Sequence, residues 1–468
     1  MDNKKPRTTS SMVDRISKLP DSVILHILSF LPIEDVVSTC LISKRWKLMW
    51  YKVPKLSFSN KTTRFRLRGG QKTFCNYVDN CLEHRKRVMH SIPNSVITRF
   101  ELHMDCYKRS KAAHIDKWLA FVVENSVEEI NLFLSRANDD DDGQLYYYCL
   151  PKTVVVNASC LTVLELSMVE LDSRYSFSFP SLKSLSLTLV RFADKDVVDG
   201  LLLGSPSLEK LWLISCSLSN DHQLHISSLS LKFLKIRLAN IVEQIEAINL
   251  ESLDLYCVSF SKNLSVSKAI RNLSLTCDWR MEKSSIEYLI SSLPLLENLT
   301  LSNCQYLGLK QIKISSQSLK SFNLNNSYDV EMNVIIESAP KLASFCYVGN
   351  IKFSISMESP NLVNGTFIII ERRENYNGDW FIDMINFLLN LNCSWNSVSL
   401  HVDSAKGLIL PENLKRLSHS PLVNWEHLRV FTDYEPENKS DLRDALMWIS
   451  PSLKTLSIAK KGIFLKTF

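Results

Sequence analysis

One spacing constrains this chain more than any other feature. An apolar-x-x-apolar-x-apolar pattern recurs from Ile97 almost to the end, with clear copies at Leu161-Leu164-Leu166, Leu208-Leu211-Leu213 and Leu296-Leu299-Leu301. Between Leu161 and Leu342 the copies begin at intervals of 21, 26, 23, 19, 20, 26, 23 and 23 residues. Within each copy the apolar-x-apolar step puts alternate side chains on the buried face of a short strand. A unit of that length cannot bury its apolar face alone, so neighbouring units must stack into a continuous core. The 68 leucines among 468 residues follow directly, because each copy needs two or three.

The chain between strands must fold back in about 15 residues. Asp196 to Ser207 shows one way: Val197, Val198, Leu201 and Leu202 form a helical stripe, and Gly204 and Pro206 stop it. Cys216, Cys304 and Asn350 fall three residues after the last strand position, where a buried small or hydrogen-bonding side chain closes the turn. Copies before Leu161 and after Leu362 lie about 30 residues apart and imply longer return paths. The acidic run Asn138–Gly143 reads as a solvated loop, since it lacks the ordered alternation of a calcium loop.

A different pattern fills Asp14 to Trp50. Asp21 can cap a first helix carrying Ile24, Ile27, Leu28 and Leu31 on one stripe. Pro32 opens a second helix with Val36, Val37, Cys40 and Leu41, and a third holds Trp46, Met49 and Trp50. Three short helices form a meagre core, and their apolar surface is too rich to stay wet, so a partner is expected.

The string LPDSVILHILSFLPIEDVVSTCLISKRWKLMW resembles the F-box over nearly its full length: two Leu-Pro steps, then Ser43-Lys44-Arg45-Trp46 and Trp50. That family binds the Skp-type adaptor of SCF (Skp–cullin–F-box) ubiquitin ligases, and through it cullin. The resemblance implies an adaptor interface formed or supported by Leu19, Pro20, Val23, Ile24, Leu28, Leu31, Pro32, Val36, Val37, Cys40, Leu41, Lys44, Arg45, Trp46, Leu48 and Trp50. Each aliphatic residue among them either meets the partner or packs within the module, and spacing does not separate the two. With the leucine-rich repeats that follow, the whole chain resembles the plant F-box/leucine-rich-repeat family. The expected architecture is α/β: a short three-helix F-box followed by a leucine-rich-repeat solenoid. Its boundaries are a disordered N-terminus at 1–13, the F-box at 14–58, a basic linker at 59–93 and the repeat domain at 94–468. The extra C-terminal FBD domain of many members is not expected in complete form.

Charge narrows the partners. The net +6 equals the excess in one stretch, where Lys61, Arg64, Arg66, Arg68, Lys72, Arg85, Lys86 and Arg87 face only Asp79 and Glu83. That stretch reads as a solvated connection, and the balanced remainder gives no reason to expect nucleic acid. No apolar run reaches the roughly 18 residues of a membrane span, and the polar N-terminus is no secretory signal. Twelve cysteines without a CxxC pair then read as reduced core residues in a cytoplasmic or nuclear protein.

No P-loop, GxGxxG or GxSxG is present, and Cys75, Cys81, His84, His103 and Cys106 fit no standard zinc spacing, so neither metal nor other cofactor is expected. The chain reads as a non-catalytic recognition subunit of a ubiquitin ligase, without membrane partners. Its target would bind on the strands' open face, where Trp212, Lys210, Lys235 and Asp254 stand out among Glu165, Ser184, Ser186, Asn298, Thr300 and Asn323. A non-degradative scaffold is the alternative. A small-molecule sensor ranks lower, because the reading finds no basic cluster on the strands.

Overall fold

The computed structural model describes residues 16, 18–61, 70–89, 91–92, 95–135, 146–174, 176–218, 224–237, 242–256, 267–276, 288–304, 310–326, 331–358, 363–370, 376–417, 423–434 and 439–460. The N-terminus at 1–13, the acidic run at 138–143, the Leu362 position and Arg64, Arg66 and Arg68 of the basic stretch lie outside them. The chain divides into two compact units, Met1–Leu208 with Cys216–Asn220, and Glu209–Ser215 with Asp221–Phe468.

The first unit opens with helices α1 (Asp21–Ser29), α2 (Ile33–Ser38) and α3 (Lys44–Trp50). Pro20 and Pro32 occupy the cap positions of α1 and α2, so Asp21 is a first-turn residue rather than the expected cap. Its carboxylate accepts from Arg45 Nε at 3.0 Å, while Arg45 Nη2 donates to Leu19 O at 2.6 Å. Arg45 thereby ties the entry of α1 to α3. Ser43 caps α3 by accepting from Trp46 N. Ile24, Leu28, Ile33, Val36, Trp46, Met49 and Trp50 fill a small core.

Five parallel strands follow in chain order: β1 (Lys55–Ser59), β2 (Arg99–Met104), β3 (Glu129–Leu134), β4 (Val163–Ser167) and β5 (Ser184–Thr188). Their register stacks Leu56, Phe100, Ile130, Leu164 and Leu185 in one buried row. Crossovers run through α4 (Gly70–Met89) and α5 (Ala112–Glu124), and α6 (Asp196–Leu203) follows β5. Short strands at Tyr148–Cys149, Val169–Leu171, Arg191–Phe192 and Ser217–Leu218 form a second parallel sheet.

Of the stretch at 59–93 that reads as a basic linker, flexible or helical, the described part is mostly helix. The repeat sheet already begins at Lys55, and 20 residues of the supposed linker form α4. Phe74, Cys75, Val78, Cys81 and Leu82 face the core, as does Arg85, which is fully buried. Arg85 donates to Trp50 O at 2.5 Å and to Val53 O at 2.7 Å, with its guanidinium 5.3 Å from the centre of the Trp50 ring. Asp79 accepts from Trp118 Nε1 at 2.8 Å and lies 3.0 Å from His114 Nδ1, joining α4 to α5.

The stop at Gly204 has a different cause from the one its sequence suggests. Its φ of −74° is ordinary helix, so no left-handed cap is needed. A Cβ there would instead collide with the Phe177 carbonyl, and Gly204 O accepts from Phe179 N at 2.8 Å. Gly204→Ala is therefore expected to cost about 2 kcal/mol, because the overlap must be relieved by backbone movement. An unchanged denaturation midpoint would refute this.

The second unit contributes eleven parallel strands to the large sheet among its described residues: β6 (Lys210–Ile214), β7 (Phe233–Arg237), β8 (Ser252–Tyr256), β9 (Asn272–Thr276), β10 (Asn298–Ser302), β11 (Ser321–Asn326), β12 (Ser344–Gly349), β13 (Val363–Ile369), β14 (Trp395–Val402), β15 (His427–Thr432) and β16 (Thr455–Lys460). The expected leucines point inward, and Cys304 and Asn350 are buried as their slot requires. In the first unit Cys216 is likewise buried, its thiol 3.3 Å from Leu187 O. Met168, Leu189, Ser215 and Asn303 each follow a strand with φ between 52° and 59°, which makes the corner after the strand a left-handed one.

Return paths in this unit are often extended rather than helical. Gln311–Ser315, Met332–Ser338, Phe353–Met357 and Leu391–Asn392 form a four-stranded second sheet. Two helices, α7 (Gly378–Asn390) and α8 (Lys439–Ile449), serve the later repeats. On β13, Gly365 stands in register with Phe345 and Val398, where other strands carry a bulky apolar residue. A Cβ there would lie 2.7 Å from the Trp395 ring, so tryptophan fills the space from the next strand.

Candidate functional site

The helices sort the predicted interface residues by what each side chain touches. Ile24, Leu28, Val36, Trp46 and Trp50 are buried in the module's own core and cannot meet a partner directly. Leu19, Val37, Cys40 and Arg45 are half-buried. Pro20, Val23, Leu31, Pro32, Leu41, Lys44 and Leu48 are exposed, Leu41 at 91%. The single stripe expected on α1 thus splits, since Ile27 and Leu31 are both 38% exposed while Ile24 and Leu28 are sealed.

Exposed apolar side chains outside the implied interface extend the same surface. Ile16, Ile27, Phe30 and Ile42 are open to solvent, Phe30 at 74%. Val23, Ile27 and Phe30 are spaced by four and three residues, a second helical stripe that the sequence does display. A helix apolar on two faces needs a second neighbour, and the module supplies only one. A cleft of ≈ 350 Å³ lies between the α1–α2 turn and β1, lined by Phe30, Leu31, Pro32, Ile33, Lys55 and Ser57 among others. The arrangement presents a contiguous run of apolar sequence with its own core already satisfied.

Next to it, the open face of β1 to β4 carries charge. Glu101 lies 2.7 Å from His103 Nε2 and 3.0 Å from Lys55 Nζ, and Arg99 reaches Glu129 at 3.2 Å. The hydrogen bond from His103, aided by Lys55, holds the Glu101 carboxyl down at about 2. Burial instead pushes Glu165 up, helped by Glu101 and Glu129 and opposed by Arg99. Because the folded value of Glu101 is depressed, its contribution is complete above the ordinary glutamate range and is lost as pH falls toward 2. Glu101→Gln should cost roughly 2 kcal/mol at neutral pH and remove that acid-dependent loss. Equal melting temperatures for the two proteins at pH 7 would contradict it.

The cysteines and histidines considered as zinc ligands have separate employment. Burial pushes the Cys75 thiol up and the Cys81 thiol to about 11, which keeps both protonated. His103 serves Glu101 and stacks on Phe133 at 4.5 Å, and Cys106 is exposed at a left-handed corner. Among the described residues no group of three or more His, Cys, Asp or Glu side chains could hold a metal ion, and no helix is long and apolar enough to cross a membrane.

On the second unit, all four residues singled out for target binding lie on the open strand face. Trp212 is 38% exposed and in register with Lys235, which pairs with Asp254 at 3.1 Å. Arg237, two residues on, reaches the same carboxylate at 3.5 Å. Lys210 sits on the same strand as Trp212, its ammonium 5.4 Å from the centre of the Phe233 ring. The expectation that the strands carry no basic cluster is therefore wrong. Parallel pairing sets the strand of Lys210 beside that of Lys235 and Arg237, residues up to 27 apart in the chain.

Three family matches cover most of the chain. Residues 16–58 match the F-box domain, residues 89–283 the LRR domain described for At1g61320/AtMIF1, and residues 262–362 the LRR repeats described for the FBD-associated F-box protein At5g56370. Among curated proteins of Arabidopsis thaliana, the chain is 30% identical over 225 residues to the probable FBD-associated F-box protein At1g32375, covering 47% of this chain and 49% of that one. It is 32% identical over 237 residues to the F-box/FBD/LRR-repeat protein At2g04230, covering 50% and 49%. Against the F-box/LRR-repeat protein At3g59190 the figures are 28% over 272 residues, 56% and 65%. The chain thus spans about half the length of the first curated relatives it matches. With an F-box at its first three helices and leucine-rich repeats through its parallel sheets, the chain has the domain content of the plant F-box/leucine-rich-repeat proteins and is similar to them.

Proposed function

We propose that this chain is the substrate-recognition subunit of an SCF-type ubiquitin ligase, its F-box binding a Skp-type adaptor and its repeats binding the target. The observation that carries the reading is the exposed apolar surface of α1 and of the turn before α3, on a module whose own core is already filled. Burying that surface supplies the association energy. The chain itself performs no transfer. It raises the local concentration of target lysines near the conjugating enzyme, and catalysis is proximity.

Co-expression of the full chain with a Skp-type adaptor tests the reading. A stable one-to-one complex on size exclusion is expected, together with lower abundance of a bound target when proteasomes are active. Failure to form a complex with any Skp-type adaptor would overturn the ligase role. A complex that leaves every bound partner's abundance unchanged would favour a non-degradative scaffold instead.

A further inference from the structure

The open face of the second unit changes character along its length. On β9, β10 and β11 the outward positions are neutral: Asn272, Ser274, Asn298, Thr300, Ser321 and Asn323. On β6, β7 and β8 they are aromatic and charged. Lys210 and Trp212 precede Phe233, Lys235 and Arg237 across one strand pair. The next strand adds Asp254 and Tyr256, with the Arg237 guanidinium 5.5 Å from the Tyr256 ring centre.

Two features of this patch point outward. Cations outnumber carboxylates, because Lys235 and Arg237 both lean on Asp254 and Lys210, over the Phe233 ring, has no ion pair among the described residues. The flanking aromatic rings are also partly open, Trp212 at 38% and Phe233 at 36%. A net positive surface set among exposed rings complements negative charge placed beside an apolar side chain. Hydrogen-bonding neutral strands offer no such selectivity.

Resting on the reading of the repeats as the target-binding part, we infer that β6 to β8 seat an acidic segment of the target, rich in Asp and Glu and carrying one aromatic residue. The carboxylates meet Lys210, Lys235 and Arg237, and the aromatic ring lies against Trp212 and Phe233. Recognition is then electrostatic in its steering and aromatic in its anchor, and it weakens with salt.

The test uses the full chain, alone and in its adaptor complex, with fluorescein-labelled twelve-residue peptides. One carries Glu and Asp around a central Phe, a second replaces the acids by Ser and Gly, a third by Lys, and a fourth places phosphoserine in an otherwise neutral frame. The acidic peptide should bind at least about tenfold more tightly than the neutral and basic ones. Raising salt from about 50 to 300 mM should weaken it several-fold. Lys210→Glu, at an exposed position with no ion pair to break, should reduce affinity about tenfold, and Trp212→Ser comparably. Arg429→Glu, on β15 of the same face, should change nothing.

Equal binding of acidic and neutral peptides would overturn the inference, as would unchanged affinity in Lys210→Glu. So would binding confined to the phosphoserine peptide. Peptide binding by the chain alone is read without the adaptor, so failure of the adaptor complex and failure of this site are separately visible.

Discussion

Leu41→Asp is expected to abolish capture of a Skp-type adaptor while leaving the chain folded. Leu41 is 91% exposed in the turn between α2 and α3, so its side chain contributes almost nothing to the module's own core. A carboxylate there must be desolvated wherever a partner covers the turn. Hot-spot truncations at such positions cost about 2 kcal/mol or more, so an added charge should weaken binding by at least roughly thirtyfold. Melting temperature should move by no more than about 1 °C, as for surface substitutions in general. Phe30→Asp, at 74% exposure, should behave likewise. Leu28→Ala is the contrast: its side chain is fully buried, and its loss should cost about 3 kcal/mol of folding before any effect on binding. If Leu41→Asp retains the adaptor at wild-type affinity, the apolar turn is not the interface.

The second large effect is predicted at Arg85. Arg85→Ala removes two hydrogen bonds to the carbonyls of Trp50 and Val53, which leaves Val53 O without that donor and Trp50 O with only the Val53 N–H at 3.3 Å. It also opens a cavity beside the Trp50 ring. Burial draws the guanidinium down to about 10, which still leaves it charged at neutral pH. The lost hydrogen bonds and the cavity together should cost about 3–5 kcal/mol. In a unit of this size that lowers the first melting transition by about 10 °C. Arg85→Met keeps most of the volume and should recover part of the loss, which separates packing from hydrogen bonding. A shift below about 2 °C for Arg85→Ala would show that the contact carries little energy.

Arg85 also marks where sequence reading reached its limit. By charge it belongs to a basic stretch that reads as solvated, although Phe74, Cys75, Val78, Cys81 and Leu82 fall at helical spacing around it. Local composition was visible, whereas the two carbonyls that satisfy the guanidinium come from 32 and 35 residues away. The strand leucines were legible because alternation binds them to one face whatever the neighbours do. Strand β1 was not, because Leu56 and Phe58 offer only two inward positions beside the F-box. Gly365 was invisible for the opposite reason: the volume it lacks is supplied by Trp395.

In the candidate site, the sequence named the module but could not divide it. Ile24 and Leu28 differ from Val23 and Ile27 by one position on a helix, and only packing against α3 decides which pair is sealed. On the repeats, Lys210, Trp212, Lys235 and Asp254 were individually visible on alternate positions. Their convergence with Arg237 and Phe233 is a property of strand register, which spacing alone did not reveal.

The connection between α3 and β1 has a mechanical meaning. Four residues, Tyr51 to Pro54, separate the last F-box helix from the first strand, and Arg85 grips the carbonyls at Trp50 and Val53. Ser95 adds a third fixing point by donating to Tyr51 O at 2.6 Å. A joint pinned at three carbonyls within four residues, Trp50, Tyr51 and Val53, restricts the pivot between the F-box and the first strands. Torque applied at either end is carried by hydrogen bonds that resist shear, and the aim of the first strands is built in at folding rather than searched for by diffusion.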